Sequence, residues 1–578
     1  MKVKLLSLVF LCVCAFAKAQ VGIGTTTPEG ALDVVSSNAG MVIPRVSDID
    51  SVTTPDGNPP VDGTIVYDLS LERLCMRIAG FWVCTDVTAV TTTDPNSEEF
   101  STIANYIKAS NTDAFDIFGE AVSISADGNY LAIGASREDS NATGINGNQA
   151  DNSASSSGAV YIFVRSGSTW VQEAYIKASN TDAGDSFGST VSLDSDGSRL
   201  AVSAIGEDSN ATGINGNQAD NSANTSGAVY VFVRSGSTWS QEAYIKASNT
   251  DAFDFFGETV SISADGNYLA IGADSERSNA TGINGNQANN SQTNAGAVYI
   301  FVRSGSTWTQ EAYIKASNTA FGDSFGGDVS LNVDGSTLVV SAIGEDSNAT
   351  GINGNQADNS ANNSGAVYVF VRSGSTWSQE TYIKASNTDA LDIFGTSVSL
   401  SGDGNLLAVA AIFEDSNAVG VNGDETDNSA NTSGAVYVFV RSGSTWSQEA
   451  YIKATNTGAG DEFGTSIALN LDGTRLVVGA ISERSSATGI NGDQTNNALA
   501  DAGAVYSYVR AGITWTPDGY IKASNTGSRD EFGTSVALSA DGSRLVVSAQ
   551  DEESNATGVG GDQTNNTAGD AGAVYIVE

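Results

Sequence analysis

From residue 100 onward the apolar residues fall in short runs parted by Gly, Asp, Asn and Ser, and none recurs at the 3.6-residue period of a helix. One stretch shows the rhythm. Thr190 to Leu193 alternates, Asp196-Gly197 marks a tight turn, and Arg199 to Ala204 forms a second apolar run. A polar stretch from Ile205 to Ser226 follows, long for a connection inside a compact unit. Ala228 to Arg234 is β-branched and aromatic, Ser235 to Ser237 turns the chain, and Trp239 to Ala247 returns. The pattern predicts four strands and no helix.

The same rhythm repeats. Phe-Gly recurs at Phe118, Phe187, Phe256, Phe325, Phe394, Phe463 and Phe532, each 69 residues after the last. Tyr-Ile-Lys-Ala runs in register with it from Tyr106 to Tyr520, and Gly-Ala-Val-Tyr from Gly158 to Gly572. Seven four-stranded units without insertion or deletion predict a radial array, a β-propeller. The last unit stops after its third strand, Val574 to Glu578, while a lone fourth strand, Phe100 to Ala109, precedes the first unit. Joining the two leaves no open edge, so the ring is expected to close through its N-terminal strand. The fold class expected is therefore all-β: a seven-bladed propeller over residues 97–578, behind a small β-rich N-terminal module.

These motifs resemble the FG-GAP repeat of integrin α-chain propellers and of bacterial secreted proteins built from that repeat. The resemblance covers residues 97–578, with departures. The Pro of the family's Gly-Ala-Pro is absent, as at Ser203-Ala204-Ile205 and Gly134-Ala135-Ser136. The family binds calcium between its first two strands. Here that turn reads Asp194-Ser195-Asp196-Gly197 or Ser125-Ala126-Asp127-Gly128, and Leu200 and Leu131 stand where the closing carboxylate belongs. The Asp-Gly pairs are expected to be hairpin turns, and the family's calcium sites are not carried over.

Ahead of the repeats, Lys2 and Lys4 precede an apolar run from Leu5 to Phe16, and Ala17-Lys18-Ala19 offers a cleavage site. Residues 1–19 read as an export signal, and the run is short for a membrane span. Residues 20–96 form the module. Val21 to Pro28 and Ala31 to Val34 resemble a leader of bacterial surface and tail-fibre-like proteins. Cys75 and Cys84 flank a hairpin expected to turn at Ala79-Gly80, and export to an oxidising compartment predicts a disulfide between them. The expected location is secreted or on the outer cell surface.

Charge and composition narrow the function. Lys plus Arg number 26 against 67 Asp plus Glu, a formal charge of -41. Such a surface repels phosphate backbones, which argues against nucleic acid and favours cations. There is no histidine, which removes the commonest general base and the commonest zinc ligand.

The long polar loop is where binding chemistry is expected. Asp208, Asn210 and Thr212, followed by Gly213, match the start of a calcium loop, and Asp220 lies one residue past its closing carboxylate. The equivalent sets are Asp139, Asn141, Thr143 and Asp151; Asp346, Asn348, Thr350 and Asp358; and Asp415, Asn417 and Asp427. In the third and sixth copies Arg277 and Arg484 replace the first Asp, and Asn289 and Asn496 the last; the seventh has Glu553 and Asn565. Both carboxylates leave together, which favours a calcium site in four copies over a salt bridge, the alternative being plain Asx turns in a solvated loop. Trp170, Trp239, Trp308, Trp377, Trp446 and Trp515 share one position, expected to be inter-strand packing rather than a sugar platform. The expected function is a non-enzymatic binding or adhesion protein with an extracellular protein or glycan ligand, stabilised by calcium. A propeller hydrolase or lyase acting on extracellular polysaccharide, or a structural spacer, are the alternatives.

Overall fold

The computed structural model describes residues 99–578 throughout and six short strands before them. The chain divides into two compact units, residues 1–93 and 94–578. In the first, Val21–Ile23 pairs in parallel with Leu32–Val34. Arg45–Val46, Ile65–Asp68, Arg73–Ile78 and Phe81–Thr85 form a four-stranded sheet in that order. The hairpin sets Ile78 opposite Phe81 and Cys75 opposite Cys84 in backbone register. The expected export signal lies outside the described residues.

Seven four-stranded antiparallel sheets make the second unit. In the second blade the strands are Phe187–Leu193, Arg199–Ala204, Ala228–Ser235 and Thr238–Ile245. The first begins three residues earlier than its alternation suggests. Gly188, at φ +99°, bulges the strand, and the register shifts between Phe187 and Val191, so the bulge hides the start from a period-two reading.

Closure is as expected. The seventh blade takes three strands from the C-terminal end, Phe532–Leu538, Leu545–Ala549 and Ala573–Val577, and its fourth from Ile103–Ile107. Val574 pairs with Ile107 and Tyr575 with Tyr106. The channel end is closed by main chain as well. Ala126 N–H donates to the Ser195 carbonyl at 2.9 Å, Ser195 to Ala264, Ala264 to Val333, Val333 to Gly402, Gly402 to Leu471, Leu471 to Ala540, and Ala540 back to Ala126 at 2.9 Å. These seven bonds form one ring, each blade donating to the next.

The core lies between blades. Phe187 meets Tyr230 and Phe232 edge-on, with centroids 5.4 and 6.1 Å away, inside a cluster that joins Ala132 and Val160 of the first blade to Leu200 and Val202 of the second. The motif glycines follow from this packing. A Cβ on Gly158 would stand 2.1 Å from the Phe187 carbonyl oxygen, so Gly-Ala-Val-Tyr of one blade needs its Gly to admit Phe-Gly of the next. Among the described residues no helix is long and apolar enough to cross a membrane.

Candidate functional site

The antiparallel order puts the turns joining first to second and third to fourth strands at one face, and the long loops with the blade-to-blade connections at the other. The long loops are not free solvated turns. In the second blade Ile214 bridges Ile245 of the outermost strand, and Asn215 N–H donates to the Tyr244 carbonyl at 2.7 Å while its Oδ1 accepts the Tyr244 N–H. A buried charged network fixes the loop's base. Lys246 Nζ donates to Glu207 Oε2 at 2.8 Å and to Ser226 Oγ at 2.7 Å, and the Tyr244 hydroxyl donates to Glu207 Oε1 at 2.8 Å. The same pair recurs around the ring, from Lys108–Glu552 to Lys522–Glu483. Burial pulls each of these ammonium groups downward against the raising influence of its glutamate. The lysine of Tyr-Ile-Lys-Ala is thus a structural cation.

The expected calcium residues separate into three environments. Asp139, Asp208, Asp346 and Asp415 are half-buried, and Oδ1 of each accepts a main-chain N–H across the loop, from Ser156, Thr225, Asn363 and Thr432 at 2.7–2.8 Å. Asn141, Thr143, Asn210, Thr212, Asn348, Thr350 and Asn417 are exposed. Asp151, Asp220, Asp358 and Asp427 each accept the N–H two residues ahead, the geometry of an Asx turn. Among the described residues no group of three or more His, Cys, Asp or Glu side chains is arranged to hold a metal ion.

A different carboxylate stands beside the first Asp. An aspartate two residues before every Phe-Gly is buried: Asp116, Asp185, Asp254, Asp323, Asp392, Asp461 and Asp530. Burial pushes Asp116 up to about 8, and the Glu138, Asp113 and Asp139 charges add to it against the Asp113 N–H bond. Asp185 reaches about 7 for the same reasons, with Glu207, Asp182 and Asp208 as neighbours. Its recurrence in all seven copies was the available signal, overshadowed by the adjacent Phe-Gly.

On the same face, the connection before Phe-Gly carries an exposed large apolar residue in the first, third, fourth and fifth blades, Phe321 of the fourth being 69% exposed. Phe115, Phe253 and Leu391 are 61%, 53% and 57% exposed and hold φ of +72°, +66° and +74°. Blades two, four and six have Gly184, Gly322 and Gly460 at that position. At the channel mouth the blades also differ, with Glu120, Ser189, Glu258, Gly327 and Thr396 following the Phe-Gly of the first five. Burial pushes Glu258 up to about 7, with Asp274 and Glu120 adding to it, and pushes Glu120 upward despite its bond to Ser136. At the opposite face a cavity of about 380 Å³ is lined by Ile124, Leu193, Ile262, Leu331, Leu400 and their equivalents. The repeated Trp is packed: Trp239 is buried and its indole N–H donates to Glu173 of the preceding blade at 3.0 Å. No sugar platform is left there.

Comparison with known proteins agrees with this architecture. Residues 170–232, 239–301, 308–370, 377–439, 446–508 and 515–577 match the FG-GAP repeat. Residues 22–98 match a phage tail like trimerisation region. No curated protein matches the sequence. Among solved structures, hydrazine synthase of Kuenenia stuttgartiensis aligns at 13% identity with a TM-score of 0.42, over 75% of this chain and 93% of that one. A "putative 6-phosphogluconolactonase" from Bacteroides uniformis ATCC 8492 aligns at 12% identity with a TM-score of 0.39, over 70% and 85%. At those values neither carries an argument about activity. Six consecutive repeat matches, each running from the outermost strand of one blade through the third strand of the next, place the chain in the FG-GAP repeat family.

Proposed function

We propose that the protein is a secreted or surface-displayed binding protein, not an enzyme, that trimerises through residues 22–98 and grips an extracellular protein with the face bearing its long loops. The observation that carries this reading is the strained, exposed trio Phe115, Phe253 and Leu391. A bulky residue in left-handed backbone costs roughly 1–2 kcal/mol, and Gly fills the same position in three sister blades without that cost. Holding apolar side chains in water at such a cost fits anchors for a partner's apolar surface, and the acidic surroundings favour one with a basic rim. The match of residues 22–98 to a trimerisation region supports three such faces per assembly, and linked weak contacts add as avidity.

The test is binding of the full chain to panels of extracellular proteins and glycans, beside the variant Phe115→Gly/Phe253→Gly/Leu391→Gly. Loss of a protein ligand in the variant, at unchanged melting temperature or above, supports the reading; equal binding by both proteins refutes this face. Light scattering on the full chain should give three times the mass of one chain.

The channel mouth favours one second reading, a hydrolase or lyase. Glu120 and Glu258 bring unlike carboxylates together there, and one is raised to about 7. Polysaccharide cleavage abolished by Glu258→Gln would establish it.

A further inference from the structure

We propose that four of the seven blades bind a divalent cation between the buried aspartate before Phe-Gly and the first aspartate of the long loop. The pairs are Asp116 with Asp139, Asp185 with Asp208, Asp323 with Asp346, and Asp392 with Asp415. The inference stands independently of the binding face.

Each buried member is nearly sealed, with 3%, 3%, 1% and 4% of its surface exposed. Its Oδ2 accepts the N–H three residues back, from Asp113, Asp182, Ala320 and Asp389 at 2.6–3.0 Å, and its Oδ1 has no hydrogen-bond partner. The partner aspartate spends Oδ1 on the cross-loop N–H. Each aspartate of a pair therefore keeps one carboxylate oxygen without a hydrogen-bond partner, and the charge of the loop aspartate acts on its buried neighbour in all four blades, an arrangement that is costly without a counter-charge.

The chain itself shows what belongs there. In the third blade Arg277 takes the place of Asp208, sets Nε 3.7 Å from Asp254 Oδ1, and donates from Nη2 to the Ala252 carbonyl at 2.8 Å. In the sixth, the Arg484 guanidinium lies beside Gly460, and its charge offsets part of the rise that burial and Glu483 give Asp461. Where the loop supplies an anion in place of this cation, a mobile cation restores the balance. The guanidinium also marks a third ligand. The carbonyl it grips corresponds to those of Ala114, Ala183, Phe321 and Ala390 in the four acidic blades. Two carboxylate oxygens, one carbonyl and waters form a hard oxygen set that suits calcium and neutralises its charge. With two carboxylates the affinity expected is that of extracellular modules, about 10⁻⁴–10⁻³ M. The set keeps the first Asp of the loop and replaces Asn, Thr and the last Asp with a residue from the neighbouring connection.

The experiment is calcium titration by calorimetry on the full chain stripped with chelator, beside Asp208→Arg and Arg277→Asp. Both variants copy an arrangement another blade already has, and circular dichroism checks that they fold. The expected stoichiometries are four for the wild type, three for Asp208→Arg and five for Arg277→Asp. A stoichiometry identical in all three proteins overturns the assignment. So does the absence of binding up to about 10 mM calcium, ten times the upper end of the expected range, which would leave a shared proton in each pair.

Discussion

Arg234 grips Glu173 across the seam between the first and second blades, Nε to Oε1 at 2.6 Å and Nη2 to Oε2 at 2.7 Å, while its guanidinium lies 4.4 Å over the Tyr130 ring. With Trp239 on the same carboxylate, one glutamate ties together two strands of the next blade. The clasp recurs as Arg303–Glu242, Arg372–Glu311, Arg441–Glu380 and Arg510–Glu449. Glu173→Ala leaves a half-buried guanidinium and an indole N–H without their acceptor. It should cost about 1–3 kcal/mol, read as a lower urea midpoint at unchanged slope.

The buried Lys246–Glu207 pair should behave differently. Lys246→Met strands a carboxylate in the interior and is expected to cost roughly 3–5 kcal/mol. Lys246→Met/Glu207→Gln removes both charges and should recover part of that loss. A double variant as unstable as the sum of the two single ones would show that the charges are not coupled.

Relief of backbone strain should be measurable apart from any ligand. Phe115→Gly, Phe253→Gly and Leu391→Gly place glycine where the sister blades already have it. Each should leave stability unchanged or raise it by up to about 1 kcal/mol, since release of strain is partly offset by the freer unfolded chain. A fall in melting temperature would mean that the side chains pack in the free protein.

Glu258 supplies a pH test. Its carboxyl stands at about 7 in the fold against an ordinary value of 4.5, because it is buried and faces Asp274 and Glu120. Above pH 4.5 the unfolded chain releases this proton while the folded chain keeps it, so stability falls as pH rises and levels off past about 7. Glu258→Gln removes that loss. Its advantage over wild type should grow between pH 5 and 7.5 to on the order of 2–3 kcal/mol at most, followed by thermal melts.

Much of the propeller was legible because the repeat multiplies every weak signal seven times. Strand positions came from β-branched runs, and closure from the offset between Phe100–Ala109 and Val574–Glu578. What stayed hidden depends on contacts across 61 or 69 residues. Glu173 and Arg234 each recur at the repeat period, but nothing in either local stretch says that they meet. The first seam shows the limit. The position equivalent to Glu173 is Ala104 there, and Arg165 turns to Glu578 instead, 3.3 Å away, a substitution only closure explains. The acidic loops were legible as polar turns, but not the cross-loop bond from Thr225 N–H to Asp208 that shapes them. The swap of Asp208 for Arg277 is visible in the sequence, but the buried aspartate that Arg277 approaches, Asp254, lies in another connection, beyond the reach of a single-loop motif.

The split seventh blade also sets an order of events during synthesis. Ile103–Ile107 leaves the ribosome before any complete blade exists, and its partner Ala573–Val577 is made only after the first six blades. Until then the sixth blade and the first each show an unmatched flank, and the seven-membered hydrogen-bond ring lacks its final links. Completion is a single late event rather than gradual growth. A chain that stops before Ala573 therefore presents open strands that a quality-control protease can recognise, while one that includes Ala573–Val577 has concealed them.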